Sequence, residues 1–276
     1  MPYLVINHLH RSRLDANREV GEGAQGHEIA GEAWFQFHNF TNYAQNQLRD
    51  YFGTSTFAVD DDNDDSGVSV TGVNALLLDM HGYAGYDWAD EFGSPLIQWG
   101  YRLSDHSTLN PSNYCPLDTR SDGSIGSLTH ARWMGGQSYE CLVRGPGSMA
   151  SRVSTLLDAN GGLTSDGLCG HGTPSLEFPS PHDLANDPVY CEDMTLDTPD
   201  ECHYYSGGYD LEVHERMDWE NVVGDHFNAM QAELPRCIRF GGSDVREAFA
   251  DVMSVAVMSF LMELYGDVLA LMEDVE

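Results

Sequence analysis

VNALLLDMHG, residues 73 to 82, is the stretch whose reading decides the fold. From Val73 to Leu78 it is almost continuously apolar, the pattern of a strand buried on both faces inside an α/β sheet. Asp79 and His81 follow at its end, and strand alternation puts both on one face. Functional groups gather at the carboxyl ends of such strands, so a site is sought here.

Upstream, Tyr3 to Ile6 reads as a strand, and Glu28 to Phe52 as an amphipathic helix with Trp34, Phe37, Phe40, Tyr43 and Leu48 on roughly one face. The acidic run Asp60 to Gly67 lacks the glycine and the closing acid of a calcium loop and reads as solvated. Downstream, Ser104 to Tyr209 is rich in Gly, Pro, Ser and Asp, which predicts long connections interrupted by a strand at 141–143 and a helix over 148–157. Met217 to Gln231 is expected to be helical, Ala232 to Phe240 a strand region, and Ser243 to Met272 one or two closing helices. Strands alternating with helices predict a three-layer α/β/α arrangement around a mixed, mostly parallel sheet, as one domain over 1–276.

The 276 residues carry 44 acidic against 13 basic side chains, a formal charge of −31, and every basic one is arginine. An acidic, lysine-free chain that is still rich in apolar residues fits molar salt, where repulsion is screened. It points to a haloarchaeon or a virus of one, and to the cytoplasm or a virion. Nucleic acid is excluded as a partner by the lack of clustered cations. A membrane is excluded as well: MPYLVINHLHR has no basic leader region, and the apolar stretch from Ala248 to Met272 is interrupted by Asp251, Glu263 and Asp267. Six cysteines, at 115, 141, 169, 191, 202 and 237, form no CxxC pair, which argues against a thiolate zinc site.

The run HLHRSRLDANRE, residues 8 to 19, crowds Arg11, Arg13, Asp15, Asn17 and Arg18 behind the apolar YLVI. Arginine forks suit a carboxylate or a developing oxyanion, whereas a surface ion-pair network is the plainer alternative. Further segments are LVRGPGS at 142–148 and SGGYDLEVHE followed by AMQAELPR, within 206–236. Together with HRSRLDANRE and LLLDMHG, in this order, these segments resemble the N-formylglutamate amidohydrolase family, relatives of zinc carboxypeptidases and aspartoacylase.

The resemblance implies zinc-dependent hydrolysis of an amide or formamide on a small carboxylate-bearing substrate. In it, His81 matches a metal-binding histidine, with Asp79 orienting it from behind. Asn17 and Arg18 match the pair that holds the substrate carboxylate, and Arg11 or Arg13 would stabilise the carbonyl oxygen. Glu233 matches the general base. Arg144, Tyr209 and His214 match substrate-pocket positions.

The family's first zinc ligands precede the strand equivalent to Tyr3 to Ile6, and this sequence holds no counterpart of them before that strand. Three protein ligands are expected of a mononuclear site. The candidates for recruitment are His8, His10, His27, Glu28 and His171. The alternative is an inactive amidohydrolase-like domain with a structural or binding role, as in a haloarchaeal virus particle, assembled as a homo-oligomer or larger body.

Overall fold

Val73 to Gly82 lies within β2 (Ser69–Gly82), a strand of 14 residues. The computed structural model describes residues 3–58, 69–82, 97–100, 142, 147–159, 177–178, 208–214 and 226–273. In chain order the other elements are α1 (Val20–Gly23), α2 (Glu28–Phe52), β1 (Thr54–Ala58), β3 (Ile97–Gly100), α3 (Met149–Ala159), β4 (Glu177–Phe178), α4 (Tyr209–His214), β5 (His226–Leu234), α5 (Arg236–Phe240) and α6 (Ser243–Glu273). The strands form one mixed sheet in the order β1-β2-β5-β3-β4. β2 runs parallel to β5 and antiparallel to β1, and β3 runs antiparallel to β5 and parallel to β4.

Side-chain alternation sorts β2 and β5 into two faces. Met230, Ala232 and Leu234 of β5 join Leu76 and Leu78 of β2 in the main core, packed with Ala150 and Val153 of α3 and Phe249, Ala256 and Phe260 of α6. The intervening residues Val73, Ala75, Leu77 and Phe227 form a second cluster with Leu48 of α2. The pairing of β2 with β5 jumps between Val73 and Leu76, and the two extra residues keep the alternation in phase. Asp79, His81, Gln231 and Glu233 therefore continue the face that carries the smaller cluster.

Local chemistry sets the element ends. α2 stops at Gly53, whose φ of 71° suits glycine and whose N–H donates to Arg49 O. Pro235 has no N–H to extend the ladder, so β5 ends at Leu234 and α5 begins. α6 is kinked at Tyr265, where φ and ψ leave the helical region. By length and composition Ser243–Gly266 could cross a membrane, a property shared with core helices, and here Phe249, Val252, Ala256 and Phe260 bury one side of it.

The helices expected at 28–52, 148–157 and 243–272 are present within two residues of those bounds. Other expectations fail. Tyr3 to Ile6 pairs with no described strand and is largely exposed, Leu4 to 82 %. Phe40 and Tyr43 face outward, while α2 turns Trp34, His38, Thr41 and Gln45 inward. The helix expected over 217–231 is replaced at its end by β5, where pairing with β2 overrides the helix-favouring residues Ala, Met and Gln. The strand expected over 232–240 ends at Leu234. Leu142, from the strand expected at 141–143, is helical and buried. Leu76 to Leu78 are only half-buried, so β2 is not enclosed on both faces along its length. The acidic run 60–67, Arg144, His171 and the side chains of all six cysteines lie outside the described residues.

Candidate metal centre

The site forms where the carboxyl ends of β2 and β5 meet α4, α2 and the loop before α1. Asp79 and His81 come from β2, and Gln231 and Glu233 from β5, paired Asp79 with Gln231 and His81 with Glu233. Asp210 and His214 stand one helical turn apart on α4, on one face of it. α2 contributes His38 and Gln45 from its inward stripe. Asn17 closes the group: its Oδ1 accepts a hydrogen bond from the Asp210 N–H at 2.9 Å.

Two donor sets share Asp210. In the first, His38, Asp210 and His214 are all buried, with one ligand atom per residue inside a 4.8 Å span. His38 Nδ1 lies 2.8 Å from His214 Nε2, and its Nε2 lies 3.1 Å from Ala16 O. Gln45 Nε2 donates to His214 O at 2.6 Å and fixes the end of α4 against α2. In the second set, His81 Nε2 is 3.0 Å from Asp79 Oδ2 and 3.8 Å from Asp210 Oδ2. The described residues thus include buried groups whose donor type and spacing can hold a metal ion.

The charges are unusually concentrated. Burial alone would lower the His81 pKa, but Asp210, Asp79 and the charge of Glu233 outweigh it and push the imidazole up to about 10. At 3.8 Å Asp210 acts on His81 through charge rather than a formed hydrogen bond. Burial raises the Asp79 carboxyl, an effect that His81 partly offsets. His38 is lowered by burial against the opposing pull of Asp210 and Ala16 O. Three carboxylates around one imidazole call for a cation, which a proton on His81 or a metal ion could supply. A further sign favours the ion: Asp210 Oδ1 is buried and has no hydrogen-bond partner among the described residues.

Glycine permits the approach of two elements. A Cβ on Gly208 would collide with the Asn17 side chain, so glycine is needed there for the Asn17 to Asp210 contact. The Gly208 N–H donates to Gln231 Oε1 at 2.6 Å, and Gln231 Nε2 donates to Glu233 Oε1 at 3.2 Å. An apolar cavity of about 590 Å³ adjoins the centre, lined by Phe37, Leu48, Leu77, Phe227 and Leu261, with Asp79, Asp210 and His214 on its wall.

Of the residues expected from the sequence, Asp79, His81, Asn17, His214 and Glu233 belong to this group, and half-buried Tyr209 flanks it with its ring 6.0 Å from His38. The arginines do not converge with them. Arg11, Arg13 and Arg18 are exposed; Arg11 Nε pairs with Asp15 Oδ2 at 2.6 Å, and Arg18 Nη1 donates to Asn17 O at 2.8 Å. His8, His10, His27 and Glu28 are exposed as well. The residues that extend the donor set are His38 and Asp210, which sequence reasoning passed over. The signal for His38 was its place in the stripe Trp34, His38, Thr41 and Gln45, at spacings of four, three and four, where polar side chains occupy a face that packs inward. No protein-family model, curated protein or solved structure matches the chain.

Proposed function

We propose that this protein is a zinc-dependent hydrolase of an amide or formamide bond on a small carboxylate-bearing substrate, resembling the N-formylglutamate amidohydrolases, in a three-layer α/β/α domain. One observation carries the reading: His81, flanked by Asp79 and Asp210, is the strand-register partner of Glu233, so a metal-type donor set and a carboxylate base share one sheet end. Asp79, His81 and Asp210 would hold the ion. Bound there, zinc supplies Lewis acidity to the scissile carbonyl.

The protein's own groups do the rest. Glu233, oriented by Gln231, takes a proton from the attacking water and returns it to the leaving nitrogen. Arg13 and Arg18, exposed on the loop that carries Asn17, would meet the substrate carboxylate, whereas Arg11 pairs with Asp15. The apolar cavity accepts the carbon skeleton and keeps bulk water from the reacting carbonyl. The net charge of −31 favours a halophile's cytoplasm as its setting.

The test uses protein prepared in molar KCl, reloaded with zinc and offered N-formyl-glutamate and a panel of N-acyl amino acids. Hydrolysis that Glu233→Gln abolishes while zinc content stays constant supports the reading. Zinc-loaded, folded protein that hydrolyses none of the panel overturns it.

A second reading, an inactive domain in a larger assembly such as a virus particle, is favoured by the outer face of α2. There Ile29, Phe35, Phe40, Tyr43 and Tyr51 are all exposed. A monodisperse monomer by light scattering at native salt would exclude it.

A further inference from the structure

We infer that this centre takes two divalent transition-metal ions bridged by the Asp210 carboxylate, one on Asp79 and His81 and the other on His38 and His214. The inference rests on the proposed hydrolase only for the first ion, and its second site stands on separate observations.

The first observation is how Asp210 divides its oxygens. Oδ1 lies 3.8 Å from His38 Nε2, the ring nitrogen that also faces Ala16 O, and Oδ2 lies 3.8 Å from His81 Nε2. One carboxylate thus presents a different oxygen to each donor set, as a bridging ligand does. The side chain is about nineteen-twentieths buried, and Oδ1 has no hydrogen-bond partner among the described residues. A buried carboxylate oxygen left in that state is costly unless a cation completes it.

Next comes the rigidity of the mount. The Asp210 N–H is tied to Asn17, while Gln45 holds the carbonyl of His214. His38 Nε2 lies 3.1 Å from the Ala16 carbonyl oxygen, and its Nδ1 lies 2.8 Å from His214 Nε2, so both ring nitrogens are held in place. Backbone carbonyls commonly set the tautomer of metal-ligating histidines in this way. The two ring nitrogens are 2.8 Å apart, whereas tetrahedral zinc with bonds of about 2.0–2.1 Å asks for roughly 3.3 Å. Loading would therefore open the pair by about half an ångström.

The third observation is donor chemistry. Two imidazoles and a carboxylate suit zinc, cobalt or manganese and disfavour calcium and magnesium, which prefer all-oxygen sets. A hydrogen-bonded His38, His214 and Asp210 network without metal is the competing account, and the two differ in stoichiometry.

The experiment measures zinc per chain in the untagged full-length protein, stripped with chelator, reloaded in molar KCl and analysed by mass spectrometry. Two zinc ions per chain are expected. His38→Gln and His214→Gln each reduce the content to one, His81→Gln also leaves one, and Asp210→Asn lowers the affinity of both sites more than tenfold. One zinc per chain that persists in His38→Gln and His214→Gln overturns the second site and leaves the hydrolase reading standing. No zinc in the unsubstituted chain overturns both. The unsubstituted stoichiometry decides the matter even if a variant does not fold, and circular dichroism of each stripped variant identifies that case.

Discussion

His81 on β2 and Glu233 on β5 are direct partners in a parallel pair, so two groups 152 positions apart in sequence are fixed side by side by backbone hydrogen bonds. A base placed in this way tolerates little change in reach. Glu233→Asp keeps the charge but withdraws the carboxylate by about one methylene, and a misplacement on the order of 1 Å costs on the order of a hundredfold in turnover. The expected result is a kcat reduced about 10²-fold in Glu233→Asp and 10²–10⁴-fold in Glu233→Gln, with zinc content unchanged in both. Steady-state kinetics beside metal analysis checks it, and equal kcat in all three proteins would remove Glu233 from the chemistry.

Gly208→Ala tests how the loop before α1 is held to the site. The added Cβ meets the Asn17 side chain, whose Oδ1 orients Asp210, so the substitution displaces both. Overpacking of this kind costs about 1–3 kcal/mol, visible as a lowered melting temperature. Zinc affinity falls with it. The double variant Asn17→Gly with Gly208→Ala should recover part of the loss, because the collision is gone, and a double-mutant cycle reads that coupling. Additive effects would show that the two residues do not constrain each other.

These contacts mark how far the sequence could be read. β2, α2 and α6 are long, so their positions were legible, although the face that α2 buries was not. Most of β5 was not, because AMQAEL within it is built from helix-favouring residues and becomes a strand through its neighbours β2 and β3; only 232–234 fell in the expected strand region. Glu233 was reached through its motif, and the end of β5 holds it as an inward strand position would. The arginine run is less concentrated at the site than its sequence reads, for a local reason. Asp15, four residues after Arg11, neutralises that side chain at the surface. His38 lay hidden in an aromatic helix, where a single histidine looks like filler until His214 is brought to 2.8 Å from 176 positions away.

Tyr265 is expected to weaken the fold at alkaline pH. Burial raises its phenol well above the ordinary value of 10.0, with the hydrogen bond from Asn228 opposing that shift in part. Because the folded pKa exceeds the unfolded one, the contribution is whole below about pH 10 and is lost as pH rises toward the folded pKa. No lysine is present to obscure this. Chemical denaturation at pH 8 and pH 10.5 is expected to show a loss of stability that Tyr265→Phe reduces, at a cost of about 1 kcal/mol at pH 8 for the lost hydrogen bond. An identical alkaline loss in both proteins would assign it to other groups.

Salt dependence follows from the same surface. With a formal charge of −31 the folded chain repels itself, and the screening length shrinks from about 10 Å at 0.1 M salt to about 3 Å at 1 M. The melting temperature is expected to rise steeply between those concentrations. Salt also strengthens apolar burial, so the electrostatic share needs its own probe. Glu247 and Asp251 supply one: exposed on α6 and four residues apart, they are a like-charged pair on one helix face. Replacing both with Gln and Asn removes that repulsion, so the double variant should gain most at 0.1 M and little above 1 M. Sucrose, which strengthens burial without screening, should shift both proteins equally. A stabilisation that is the same at every salt concentration would trace the effect to helix propensity instead of charge.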